Sequence, residues 1–292
     1  MKKLIIEGIK NGNNAILIDK YKFIFGFDMN TKFFIRNYLK KYFDKDSKSE
    51  YEIEKNIKSN VLINEKFIDL KQYNYVELYD LYDIKDDFKM GTKSLILKYY
   101  DLYLDKIEYN DLFITTNNLL KSLEEDINLN IGFNDFNVNG LFIDLSKKSL
   151  LKMIELNILK EELEISPYIL TYEEILILQL ELIKKIAKLD HNKEYIALIE
   201  VPIISNALVK SIIHDIDNLN ILVFSCIVED SIKIDIDSIA IINNDIIDLY
   251  DDEQLYEISI NSTKNISITE LKEQLKNEHI LLIKEVVKNK NI

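Results

Sequence analysis

The runs Tyr195-Ile196-Ala197-Leu198-Ile199 and Leu219-Asn220-Ile221-Leu222-Val223-Phe224 are apolar almost without interruption, and a stretch of helical period, Ser205 to Ile216, separates them. A strand with no polar alternate positions is covered on both faces, which is the condition of a parallel strand between helical layers. This strand–helix–strand unit restricts the chain to an α/β architecture, and the rest of the sequence is read around it.

Leu4 to Ile6, Ala15 to Ile18 and Lys22 to Phe27 read as strands, with Asn11-Gly12 supplying a tight hairpin turn. Thr31 to Phe43 carries Phe33, Phe34, Tyr38, Leu39 and Tyr42 at helical spacing, and Asp44 to Ser49 reads as a solvated loop. A further strand is expected within Tyr73 to Tyr82. From Ser94 to Asp126 the apolar residues keep helical period, and those of Leu95 to Leu104 cover most of a helix's circumference, so this helix needs partners on several sides.

Leu141 to Leu145 reads as a short strand, and Ser146 as the cap of a helix from Lys147 to about Glu162 that Ser166-Pro167 ends. Thr171-Tyr172-Glu173-Glu174 has the form of a capping box and heads a helix to about Leu189. Ile239 to Leu249, broken at Asn243-Asn244, reads as a closing hairpin, and Thr269 to Lys288 as an amphipathic helix. The expected organisation is a mostly parallel α/β head formed by residues 1–88 and 190–292, with an α-helical leg, 89–189, inserted between the two parts.

Charge and composition exclude several functions. With a net charge of −13, the chain lacks the basic coat of a protein that binds nucleic acid unaided. Arg36 is the sole arginine, so bidentate readout of guanine or phosphate is nearly absent and sequence-specific DNA reading is not expected. Cys226 is the sole cysteine, which removes internal disulfides and cysteine-based metal centres and reads as cytoplasmic. The start, Met1 to Gly8, is too short in apolar residues for a signal peptide, and Ile175 to Ile186 carries Glu181, Lys184 and Lys185, so no membrane span is expected.

The turn after the third strand reads Gly26-Phe27-Asp28-Met29-Asn30-Thr31-Lys32-Phe33, which lies on the phosphate-loop template Gly-x-x-x-x-Gly-Lys-[Ser/Thr] with Gly26 and Lys32 matched. Thr31 replaces the second Gly, and Phe33 replaces the hydroxyl that holds magnesium. Ile196 to Pro202 imitates the acidic strand of ATP-binding-cassette heads, with Glu200 at the metal-holding position and Val201 in place of the general base. Without hydroxyl and base, phosphoryl transfer loses positioning and charge stabilisation, so ATP hydrolysis is not expected. Equally, Lys32 and Glu200 can be a plain helix lysine and a strand-end carboxylate.

Other chemistry is thin. His191, His214 and His279 have no metal-ligand spacing, and Cys226 at the end of an apolar strand reads as an inert thiol. Asn134-Asp135 with Asn137, Asn139 and Asp144 clusters oxygen ligands of the kind calcium takes, without EF-hand spacing. Lys148 with Lys152 and Lys184 with Lys188 form i, i+4 pairs, and Lys93 and Lys98 open the helical segment. In a symmetric assembly such lysines would repeat and line a basic channel inside an acidic particle, tracking phosphates without reading bases.

The order of these pieces resembles the small CRISPR-associated adaptation proteins of type II-A systems, the Csn family, in a longer variant. Leu150 to Asn157, Glu173 to Ala187, Tyr195 to Pro202, Ser205-Asn206 with its helix, Asn220 to Ser225, and Val76 to Leu97 carry the resemblance, about half the chain. The resemblance implies a homotetrameric ring with a head related to ATP-binding-cassette heads but without hydrolysis. It further implies structural calcium, a lysine-lined hole around double-stranded DNA ends, and partners in the CRISPR integrase complex and effector nuclease. It aligns no motif on the calcium ligands or pore lysines, so Asp135, Asp144, Lys93, Lys98, Lys148, Lys152, Lys184 and Lys188 are candidates only. An active ATPase acting on DNA and a purely structural oligomer are the alternatives.

Overall fold

The computed structural model describes residues 1–7, 15–44, 60–126, 130–133, 136–230, 232–243, 245–261 and 266–283. The Asn11-Gly12 turn, most of the Asp44 to Ser49 loop and Asp135 lie outside them. The chain divides into two units, Met1–Leu81 with Thr171–Ile292, and Tyr82–Leu170.

The first unit is built on a six-stranded sheet. Its strands are β3 (Tyr21–Phe25), β6 (Tyr73–Leu78), β11 (Glu194–Glu200), β13 (Leu219–Phe224), β15 (Ile239–Asn243) and β16 (Asp245–Asp248), in the order β16-β15-β3-β13-β11-β6. All neighbours pair in parallel except the hairpin β15–β16. The continuous apolar runs are its two innermost strands on one side, and every residue of β13 is buried. One set of alternate residues, Ile196, Leu198, Leu222 and Phe224, packs with Ile35 and Leu39 of helix α1 (Met29–Asp44). The same cluster takes Leu4, Ile16 and Val61 from a second sheet, in which β1 (Lys2–Glu7) pairs antiparallel with β2 (Ala15–Ile18) and β4 (Asn60–Ile63).

Helix α6 (Tyr172–Leu189) has the expected capping box. Glu174 Oε2 accepts from the Thr171 amide at 2.9 Å, and the Glu174 amide donates to Thr171 Oγ1 at 3.3 Å. Its face of Leu176, Gln179, Leu180, Leu182, Ile183, Ile186 and Ala187 is buried, and it packs on β6 and β11. The helix therefore belongs with the sheet, and the excursion ends at Leu170 rather than at 189. The helix after Ser205 is shorter than expected, α7 (Asn206–Ile212), because Ile213 turns to extended backbone.

The second unit holds α2 (Ile84–Lys89), α3 (Leu95–Leu104), α4 (Ile107–Asp126) and α5 (Lys147–Leu151). Asp87 ties its start together, accepting from Tyr82 Oη at 3.1 Å, Ser94 Oγ at 3.0 Å and the Ile96 amide at 3.0 Å. Two expectations fail here. Leu141 to Leu145 is irregular, because the Asn117 side chain, not a neighbouring strand, takes the Leu145 amide at 2.7 Å and its carbonyl at 3.2 Å. The helix from Lys147 stops at Leu151, and the chain continues into a hairpin, β9 (Ile158–Lys160) with β10 (Leu163–Ile165), turning at Glu161 and Glu162 with φ of 52° and 68°. From Ile154 to Ile158 half-buried and exposed residues alternate, so the period has already changed from that of a helix to that of a strand.

Past the β15–β16 hairpin come α8 (Asp252–Asn261), α9 (Ile268–His279) and β17 (Leu281–Ile283). The expected helix to Lys288 thus ends at His279, where the backbone turns extended at Ile280. Among the described residues no helix is long and apolar enough to cross a membrane.

Candidate functional site

Three parallel strands, β6, β11 and β13, end beside α1 and leave a cleft of about 470 Å³ at their C-terminal edge. Open α/β sheets present their sites at this edge. Lys32, Arg36, Glu77, Tyr172, Glu200 and Cys226 line it.

Gly26 has φ +118°, and a Cβ there would lie 2.1 Å from the Ile242 carbonyl oxygen. The glycine is required by the close approach of β15, so the first match to the phosphate-loop template has a packing cause. The helix that follows is capped from within: Asp28 Oδ1 accepts from the Thr31 amide at 3.1 Å, and Asp28 Oδ2 from Thr31 Oγ1 at 2.6 Å. A carboxylate therefore stands at the N-terminus of α1, where a phosphate would be stabilised by the helix dipole.

Lys32 is buried, 2% exposed, and its ammonium donates to the Ser225 carbonyl at 2.8 Å and to Cys226 Sγ at 3.3 Å. The thiol in turn donates to the Gly26 carbonyl at 3.1 Å. Gly26 and Lys32 are thus brought together, but around the end of β13 rather than around an open cradle.

Glu200 ends β11 and is separated from β3 by one strand, β13. Its Oε2 accepts from Arg36 Nη1 at 3.3 Å, while Arg36 Nε and Nη2 fork onto Glu77 at 2.9 and 3.5 Å. The Glu77 hydrogen bond raises the guanidinium pKa further, against a smaller opposing effect of burial. Tyr172 donates to the Glu200 carbonyl at 3.3 Å, and burial, then the charges of Asp80 and Glu200, push its phenol up. With Lys32 turned inward, Arg36 alone faces Glu77, Asp80 and Glu200, so the closed cleft has an acidic balance that disfavours polyphosphate.

Arg36 and Glu77 carry this electrostatics, and neither is among the site residues expected from sequence. Arg36 was legible, one helical turn beyond Lys32 on the same face. Glu77 was not, since nothing in the β6 run marks it as an ion-pair partner.

The lysine candidates fall in different places. Lys93 lies exposed in a short 3-10 turn and Lys98 half-buried on α3. Lys148 is exposed on α5, and Lys152, also exposed, is the C-cap of that helix with helical backbone angles, φ −74° and ψ −14°. Lys188 is exposed on α6, whereas Lys184 is only 12% exposed and pairs with Glu181 at 2.8 Å. Asp144 stands exposed in the irregular segment, and among the described residues no three His, Cys, Asp or Glu side chains gather to hold a metal. Asn134 and Asp135 of the expected calcium cluster lie outside the described residues.

No protein-family model and no curated protein matches the chain. Among solved structures it is similar to Stu0660 of Streptococcus thermophilus, with a TM-score of 0.66 and 16% identity over 99% of this chain and 89% of that one. The two share a fold.

Proposed function

We propose that the chain is a non-catalytic, double-stranded-DNA-binding subunit of a ring, acting at DNA ends in CRISPR spacer acquisition beside the integrase complex and effector nuclease, in the cytoplasm. The observation that carries the non-catalytic part is the internal use of the phosphate-loop groups. Lys32 is spent on the Ser225 carbonyl and the α1 N-terminus on Asp28, in a cleft of acidic balance. Phosphoryl transfer needs those groups on the nucleotide.

Assembly is supported by the second unit. Among its described residues Tyr82 and Ile96 are the buried hydrophobic side chains, while Leu119, Leu141, Ile143, Met153, Leu163 and Tyr168 are all more than 60% exposed. Apolar surface of that extent calls for a covering partner, and a second copy supplies one.

Retention of linear against closed-circular duplex in a gel, in calcium and then in chelator, tests the reading. Retention of the linear form alone supports threading over ends. Equal retention points to surface binding, and ATP turnover abolished by Lys32→Ala would establish an ATPase instead.

A further inference from the structure

β17 returns to the cleft by a route that sequence alone does not announce. β17 pairs in parallel with β14 (Ile227–Glu229), matching Leu281 to Ile227, Leu282 to Val228 and Ile283 to Glu229. On its other side β14 pairs with β12 (Ile203–Ile204). β12 follows the Glu200 strand and β14 follows the strand that ends at Phe224, so this three-stranded sheet gathers both segments leaving the main sheet at the cleft.

The pivot is Ser225-Cys226. The Leu281 amide donates to the Cys226 carbonyl at 3.0 Å. On the opposite side the same two residues hold Lys32, through the Ser225 carbonyl at 2.8 Å and the Cys226 sulfur at 3.3 Å, and the thiol holds Gly26 at 3.1 Å. The C-terminal strand and the cleft lysine are therefore clamped on two sides of one dipeptide. Helix α9 has its own anchorage, with Leu271 and Leu275 buried and Lys272 paired to Asp237 at 3.3 Å and Asp252 at 3.0 Å. The short strand can thus leave while the helix stays.

We infer that β17 is a strap: while it is paired with β14 it keeps Ser225-Cys226 closed on Lys32, and its release frees the Lys32 ammonium for an anionic ligand in the cleft. A short strand held at a sheet edge opens far more readily than the buried sheet behind it. The inference concerns the cleft and goes beyond the DNA reading, which can fail without it.

Leu281→Pro removes the donor to Cys226 together with part of a half-buried side chain, which Leu281→Ala removes alone. Leu281 is about half exposed and Ile280 already has the extended backbone, φ −116° and ψ 117°, that a following proline requires. The rate at which Lys32 is acetylated, mapped by mass spectrometry against exposed Lys93, is the readout. It is expected to rise about fivefold, the shift that loss of one backbone hydrogen bond gives an opening equilibrium. Leu281→Ala, which keeps the donor, is expected to stay near the parent chain. Inorganic pyrophosphate is expected to slow Lys32 acetylation in Leu281→Pro and not in the parent. Unchanged protection of Lys32 in Leu281→Pro, an equal effect of Leu281→Ala, or no slowing by pyrophosphate overturns the inference. If Leu281→Pro loses its helical circular dichroism, hydrogen exchange of the parent decides: the Leu281 amide must open with the same free energy as the Lys32 ammonium shows in acetylation, and a difference between the two overturns it.

Discussion

Lys22 Nζ lies 2.5 Å from Asp248 Oδ1 with both side chains buried, at 1% and 2% exposure, fastening the third strand of the chain to the antiparallel edge of the main sheet. Lys22 also donates to the Asp237 carbonyl at 2.9 Å, and Asp248 accepts from the Leu17 and Tyr250 amides at 2.8 and 2.9 Å. Burial disfavours both charges, pulling the lysine pKa down and pushing the carboxyl up, and the pair opposes each shift. Removing one partner leaves the other buried and uncompensated. Lys22→Met or Asp248→Leu alone should cost about 3–5 kcal/mol in urea unfolding, and the double variant should recover most of it. Equal losses in the single and double variants would refute the coupling.

Gly26→Ala should be strongly destabilising. The φ of +118° and the 2.1 Å approach of the Ile242 carbonyl leave no room for a Cβ, so the loss should exceed about 2 kcal/mol. A thermal melt reads this directly, and an unchanged midpoint would mean that the turn relaxes.

His214 makes the first unit sensitive to acid. Burial, and next the positive charge of Lys184, hold its imidazole down at about 4, below the ordinary 6.5. The unfolded chain therefore binds the proton first. Stability from this group is complete above pH about 6.5 and is lost as pH falls toward 4, by up to about 2 kcal/mol after allowance for solvent screening. His214→Gln should flatten the stability profile in that window, and an unaltered profile would exclude the histidine as its source.

If DNA is held through phosphates, exposed lysines contribute by charge alone. Lys148→Ala and Lys152→Ala should each lower the slope of log affinity against log salt by about 1, with no change in base preference. Lys184→Ala should leave the slope unaltered, because that ammonium is already paired with Glu181.

How much was legible follows from range. Thr171 and Glu174 cap their helix across three residues, and the doubly covered strands announce themselves as unbroken apolar runs, so both are properties of a few adjacent positions. The end of the helix begun at Lys147 was less legible, since Leu150 to Ile158 satisfies both periods and the outcome turned on a hairpin closing at Glu161-Glu162. The candidate site was legible as three residues, Gly26, Lys32 and Glu200, but not in its meaning.

The sequence alone determined that this chain makes a parallel sheet covered on both faces, where its main helices begin, and that arginine and cysteine chemistry are nearly absent. Only the tertiary structure decided what Lys32 does. Its partner Ser225 lies 193 residues away, and Arg36 meets Glu200 across 164. Burial patterns and caps are set by neighbours within a turn or two, whereas the partner of a charged group is set by which strand ends the sheet order brings side by side, and no local pattern encodes that order.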